Sequence, residues 1–80
     1  MIKMDELLNR IVIDPKVMVG KPVIKGTRIT VQNILNLAAQ GISKEEILED
    51  FPNIKEEDIL ACYAFASKTL EDSTYIPLSY

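Results

Sequence analysis

Apolar residues recur along this chain with two different periods, and the switch between them falls near Thr30. Upstream, "RIVID" sets Ile11, Val12 and Ile13 in a β-branched run that Asp14-Pro15 stops, the pattern of a short strand ended by a turn. Further extended pieces are predicted at Val23-Ile24 and at Arg28-Ile29-Thr30, with Gly26 between them to take the positive φ of a tight turn. Met1 to Asn9 carries enough alternation for a helical turn and no more. Strands this short make a ribbon that is barely stable alone and whose open edges invite another chain.

Downstream of Thr30 the period is helical. Val31, Ile34, Leu35 and Ala38 follow i, i+3, i+4, i+7 spacing, and Asn33, Asn36 and Gln40 fall on the other face. Thr30 as N-cap and Gly41 just past the end predict a helix over 31–40. In "ISKEEILEDFP", Ser43 and Glu46 form a capping box, Ile42 and Ile47 a hydrophobic staple, and Pro52 stops the helix by about Phe51. Twelve residues on, "IKEEDIL" echoes "ISKEEIL" and marks a third helix start, with Asn53 as the expected cap and Glu56, Glu57 and Asp58 suited to the positive end of its dipole. This helix is expected to bury Ile59, Tyr63, Ala66 and Leu70, widened by Leu60 and Cys62, to end near Leu70, and to turn Glu57, Ala61, Ala64, Lys68 and Glu71 outward. The last two helices, joined by "FPNI", have the lengths and turn of a helix-turn-helix, with 31–40 as the supporting helix. The expected architecture is therefore mainly α: a three-helix helix-turn-helix bundle over 31–70 with a short N-terminal β-ribbon in an arm over 10–30. An extended or flexible tail over 71–80 completes a single domain, 1–80.

Size changes this picture by raising the question of stability. A chain of 80 residues buries only about 60–65 % of its unfolded surface and is marginal without a further prop. Cys62 is the only cysteine and there is no histidine, so neither an intrachain disulfide nor a Cys/His zinc site is available, and no cofactor is expected. Association with a second copy remains. The expected homodimer is a clasp of the glycine-bent arm, with Ile11, Val12, Ile13, Val23, Ile24 and Ile29 as its apolar contacts. No apolar run approaches the ~20 residues of a membrane span, and nothing at the N-terminus reads as a signal peptide, so a reducing cytoplasm is the expected compartment and no membrane the expected partner.

Charge is unevenly placed. The chain has a net charge of −3, yet residues 1–30 hold six cations against three acids and residues 31–80 three cations against nine acids. Such a chain can pair its basic arm with an acidic body or face two different partners.

Candidate chemistry is sparse. A phosphate loop needs G-x-x-x-x-G-K-[ST] between a strand and a helix; here Lys25 precedes Gly26, and the turn-and-ribbon reading is preferred. Acid-base work would fall to carboxylates, lysine or tyrosine, but the acids cluster where capping and dipole effects account for them, and no enzyme is expected. Cys62 reads as a buried thiol. A reading head built on Glu56, Glu57 and Asp58 would be repelled by phosphates. If DNA is bound, the expected contacts are Lys16, Lys21, Lys25 and Arg28, acting on phosphates; the alternative is a solvated basic ribbon that keeps the chain soluble. The tail "TYIPLSY" offers Tyr75, Ile76, Leu78 and Tyr80 as a strip that docks into a partner, folds back, or stays loose.

The run "RIVIDPKVMVGKPVIKGTRITV", above all Gly20, Pro22, Ile24, Gly26, Thr27 and Arg28, continues through the Gly41 stop, "EILEDFPNI" and "EEDILACYAFA". From about Arg10 to Ser67 it resembles a small prokaryotic family known as domain of unknown function 433. Lys55 stands where that family tends to place a threonine or serine cap. The resemblance implies a homeodomain-like helical domain with an N-terminal β element, often dimeric. It also implies an antitoxin-like role as partner of a nuclease-like toxin, with or without operator DNA held by the basic segment. The competing expectation is a helical protein-protein interaction module with no DNA role.

Overall fold

A computed structural model of the chain describes residues 2–72. It is mainly helical with a small two-stranded antiparallel sheet: α1 (Met4–Leu8), β1 (Ile11–Val12), β2 (Val23–Ile24), α2 (Val31–Ala39), α3 (Lys44–Asp50) and α4 (Glu56–Asp72). The tail residues Tyr75, Ile76, Leu78 and Tyr80 lie outside the described residues. Among the described residues, no helix is long and apolar enough to cross a membrane.

The caps read from the sequence set most helix ends. Thr30 Oγ1 accepts from the Asn33 N–H at 3.0 Å and starts α2. At its other end Gly41, at φ +85°, lets Gly41 N–H reach Ala38 O and Ile42 N–H reach Leu37 O, a Schellman closure. Ser43 Oγ accepts from the Glu46 N–H at 3.2 Å and donates to the Glu46 carboxylate at 3.3 Å, so both halves of this cap run through the hydroxyl. The core gathers Ile24, Val31, Ile34, Ile47, Ile54, Ile59 and Cys62, one contribution or more from β2, α2, α3 and α4. Ile42 packs against this cluster with Ile47, as a hydrophobic staple requires.

The start of α4 departs from expectation. Asn53 is not its cap. Lys55 precedes the first helical residue, and its N–H donates to Asp58 Oδ2 at 2.8 Å, the reciprocal half of a capping box, while the Asp58 N–H reaches Lys55 O at 2.9 Å. The other oxygen, Oδ1, accepts from Arg10 Nη1 at 3.1 Å. Asp58 is 7 % exposed and is the buried charged residue of the described chain. It is therefore not a charge held merely for the helix dipole.

The faces of α4 are also rotated from the predicted ones. Ala61 and Ala64, expected outward, are buried beneath Leu7 of α1, which forms a second small core with them. Met4 to Leu8 is thus a fourth packed helix rather than a loose turn, and the two alanines give it room to lie close. Tyr63 and Leu70, expected inside, are exposed, as is Leu60. The helical period near 60–70 fits either face; α1 decides which one is covered.

The arm, too, is corrected. β1 pairs with β2 in the register Ile11↔Ile24 and Val12↔Val23, and the piece at 28–30 is not a third strand. It closes a turn instead: Ile24 N–H donates to Ile29 O at 2.9 Å, and Val23 bridges Thr30. Gly26, at φ +81°, takes the position that only a glycine enters without strain. Thr27 fixes the turn, donating to Ile24 O at 2.8 Å and accepting from Ile29 N–H at 3.0 Å. Of the six residues expected as interchain contacts, Val23 and Ile24 are each 1 % exposed within their own chain. Ile11 and Ile29 pack against the same core, and Val12 is half-buried; Ile13 alone of the six points largely to solvent. The arm finds its apolar partners in cis, because the turn folds β2 back onto α2 and α4.

Asp58 yields a direct test. Asp58→Ala removes both the cap and the ion pair and should cost about 2–4 kcal/mol by chemical denaturation, whereas Asp58→Asn keeps an oxygen for the Lys55 N–H and should cost about half as much.

Candidate interface on the basic turn

Between the two strands the chain makes a turn that no local propensity favours. Asp14 opens it, its Oδ1 accepting from the Lys16 N–H at 2.9 Å and its carbonyl from the Val17 N–H at 2.9 Å. Then Met18, Val19 and Gly20 follow one another with φ of 49°, 57° and 78°, three left-handed residues in succession. Gly20 N–H to Val17 O and Lys21 N–H to Met18 O, both 3.1 Å, hold the turn. A side chain in this region costs about 1–2 kcal/mol, and a β-branched valine is the least suited to it. Yet Val19 is 93 % exposed, so no burial of its side chain offsets the strain. Strained backbone retained at an exposed position is a mark of functional sites.

Cations surround this tip. Lys16, Lys21 and Arg28 line one open depression of about 410 Å³ together with Pro15, Met18 and Val19. All three are exposed, and none makes an ion pair among the described residues. Arg28 thus makes no ion pair that would brace the Gly26 turn, which the Thr27 hydroxyl fixes. Asp14 is the acid nearest in sequence, and its Oδ1 is engaged by the Lys16 N–H. Lys25, the fourth predicted contact, lies elsewhere: it shares a depression with Glu6, Arg10, Lys55 and Asp58. So three of the four predicted cations converge and one does not.

The resulting surface is an apolar knob, Met18 and Val19, flanked by two ammonium groups and a guanidinium. Arginine and lysine here can contact phosphate or carboxylate oxygens, and the knob can rest on an apolar edge between them. No residue type announces the strained turn directly, since Met-Val is not a left-handed pair; Gly20 after a turn-opening Asp14-Pro15 is its nearest signal. The Arg10–Asp58 pair was missed as well, although Lys55 at a cap position pointed to a substitute acid.

The helical side of the chain has the opposite sign. Glu45, Glu46, Glu49 and Asp50 lie on α3, and Glu56 and Glu57 open α4. Lys44 is paired with Glu56, and that hydrogen bond and charge raise the lysine above its ordinary pKa. Within the core, burial and then the Asp58 charge push the Cys62 thiol up to about 12.

The chain is thus mainly helical, with a small two-stranded antiparallel sheet and an exposed basic turn between its strands. Residues 11–66 match the family model "Protein of unknown function (DUF433)", and the chain belongs to that family. A crystal structure of a DUF433 member from Anabaena variabilis superposes with a TM-score of 0.74 at 31 % identity, over 84 % of this chain and 66 % of that one. An uncharacterized protein of Archaeoglobus fulgidus is 75 % identical over 24 residues, which are 30 % of this chain and 67 % of the relative.

Two outcomes are expected. Val19→Gly relieves the left-handed strain but loosens the unfolded chain, so it should raise stability by about 0.5–1 kcal/mol in a denaturant titration. Cys62 should resist a thiol-specific reagent at pH 8 in the native protein and react promptly once denaturant is added, because burial shields the thiol and raises its pKa.

Proposed function

We propose that this protein is a small, non-catalytic regulator of antitoxin type, which holds DNA phosphates with its basic turn and a cationic, nuclease-like partner on its acidic helices. The observation that carries this reading is the convergence of Lys16, Lys21 and Arg28 around an exposed, strained apolar knob. The acids of α3 and of the first turn of α4 support the second half, since a cationic nucleic-acid groove is complementary to such a surface. In this reading α2, α3 and α4 form a homeodomain-like helix-turn-helix that serves as scaffold rather than as a reading head. Asp58 is taken up by Arg10 and the Lys55 N–H, and α1 covers Ala61 and Ala64, so α4 is poorly placed to enter a major groove. Binding through the turn is then mainly to phosphates and weakly dependent on sequence.

The covered face of α4 also favours a second reading, a helical interaction module with no role on DNA. Binding to a duplex carrying the chain's own promoter separates the two. By fluorescence anisotropy, three phosphate contacts per copy should weaken affinity roughly 40-fold between 50 and 200 mM salt. Lys16→Ala/Lys21→Ala/Arg28→Ala should abolish binding, while Lys25→Ala leaves most of it. Absence of binding at 50 mM salt would leave the interaction module as the reading.

A further inference from the structure

Val19 combines two features from which a folded chain gains nothing: a left-handed backbone, at φ 57°, and an apolar side chain that is 93 % exposed. Its neighbours share the geometry. Met18, at φ 49°, and Gly20, at φ 78°, curl the backbone the same way, so the three residues form a tight arch with Val19 at the apex. A Cβ placed on Gly20 would rest 3.8 Å from the Pro15 Cα, so the two legs of the arch lie close together. Lys16 stands on one leg and Lys21 on the other, and Arg28 joins them from beyond the Gly26 turn. Among the described residues, no acid lines the depression that these three cations share.

We infer that Val19, backed by Met18, is a wedge that enters the minor groove of duplex DNA and parts a base step there, bending the helix. The inference rests on the DNA-binding reading proposed above and gives the apolar apex a task that phosphate contacts do not. Three features favour this occupant and this groove. First, the apex cannot read the polar code of the major groove, since valine has no hydrogen-bonding atom and methionine only a weak thioether acceptor. Apolar side chains, methionine among them, do unstack base steps from the minor-groove side. Second, cations flank the apex on both sides. The minor groove, about 6 Å wide against about 12 Å for the major, sets its two rows of phosphates close together, so Lys16 and Lys21 can each meet one row as Val19 goes in between. Third, the strained arch lifts one side chain clear of its own backbone before any contact is made, which leaves little ordering to be done on binding. An anionic membrane would attract the same cations, but two apolar side chains bury too little area to hold a protein there.

A duplex of about 20 base pairs tests this, with a central TA step whose adenine is replaced by 2-aminopurine, a base that brightens when unstacked. The full chain should raise its fluorescence about twofold as it binds. Val19→Ser should lose that rise and weaken binding about fivefold, whereas Val19→Leu, which keeps an apolar apex, retains both. Both variants should keep the helicity of the parent by circular dichroism, because the Val19 side chain is exposed. A duplex of G·C pairs alone should bind about fivefold more weakly, since its steps resist parting. Binding with the salt dependence given above but no rise in fluorescence, or a rise that Val19→Ser keeps, overturns the wedge and leaves the phosphate reading in place. Absence of binding at about 50 mM salt overturns both. Val19-dependent capture by vesicles of phosphatidylserine and phosphatidylcholine, with the duplex left stacked, overturns the wedge in favour of a membrane contact.

Discussion

One carboxylate joins the two halves of this molecule. Asp58 accepts the Arg10 guanidinium with one oxygen and the Lys55 N–H with the other, so a residue at the junction of α1 and β1 is fixed to the first turn of α4. A buried carboxylate is tolerable only when its oxygens are engaged, and here both are. The consequences spread outward. Lys55 can occupy a cap position that its own side chain cannot fill. α1 is brought against Ala61 and Ala64, and β1 is delivered to β2 with Ile11 opposite Ile24. The basic turn is then suspended between two strands whose ends are set, and its unfavourable backbone is held by that frame.

Much of the helical frame was legible in the residues. Thr30, Gly41 and Ser43 act as local signals whose partners lie within a few positions, and Pro52 limits its helix without reference to the rest of the chain. The apolar run at 11–13, the pair at 23–24 and the Gly26 turn were legible for the same reason. What escaped depended on residues far apart. Arg10 and Asp58 are separated by 48 positions, and nothing local tells an aspartate at a helix start that it will be buried. The orientation of α4 followed from that pairing. With apolar residues at both 59/62 and 60/63, the helix has two defensible inner faces, and the short α1 selects between them.

The candidate site was half visible for a comparable reason. Exposed lysines and arginines announce themselves, and Lys16, Lys21 and Arg28 do converge. Their grouping depends on a left-handed turn through Met18 and Val19, which the side chains themselves oppose. Lys25 was separated from the group because the Gly26 turn directs it toward the α1 and α4 side, near Arg10. Conflict between local preference and adopted geometry is expected where a surface serves recognition rather than stability.

The distance along the chain between Arg10 and its partner has a kinetic consequence. α2, α3 and α4 are consecutive and meet through short loops, so they can assemble early at little entropic cost. The β1–β2 pairing closes a short loop, but the Arg10–Asp58 contact must close a circuit of nearly fifty residues, and closure of that kind comes late. During synthesis the wrap emerges first, and Leu7 and Arg10 wait without their partners until the last helix has left the ribosome.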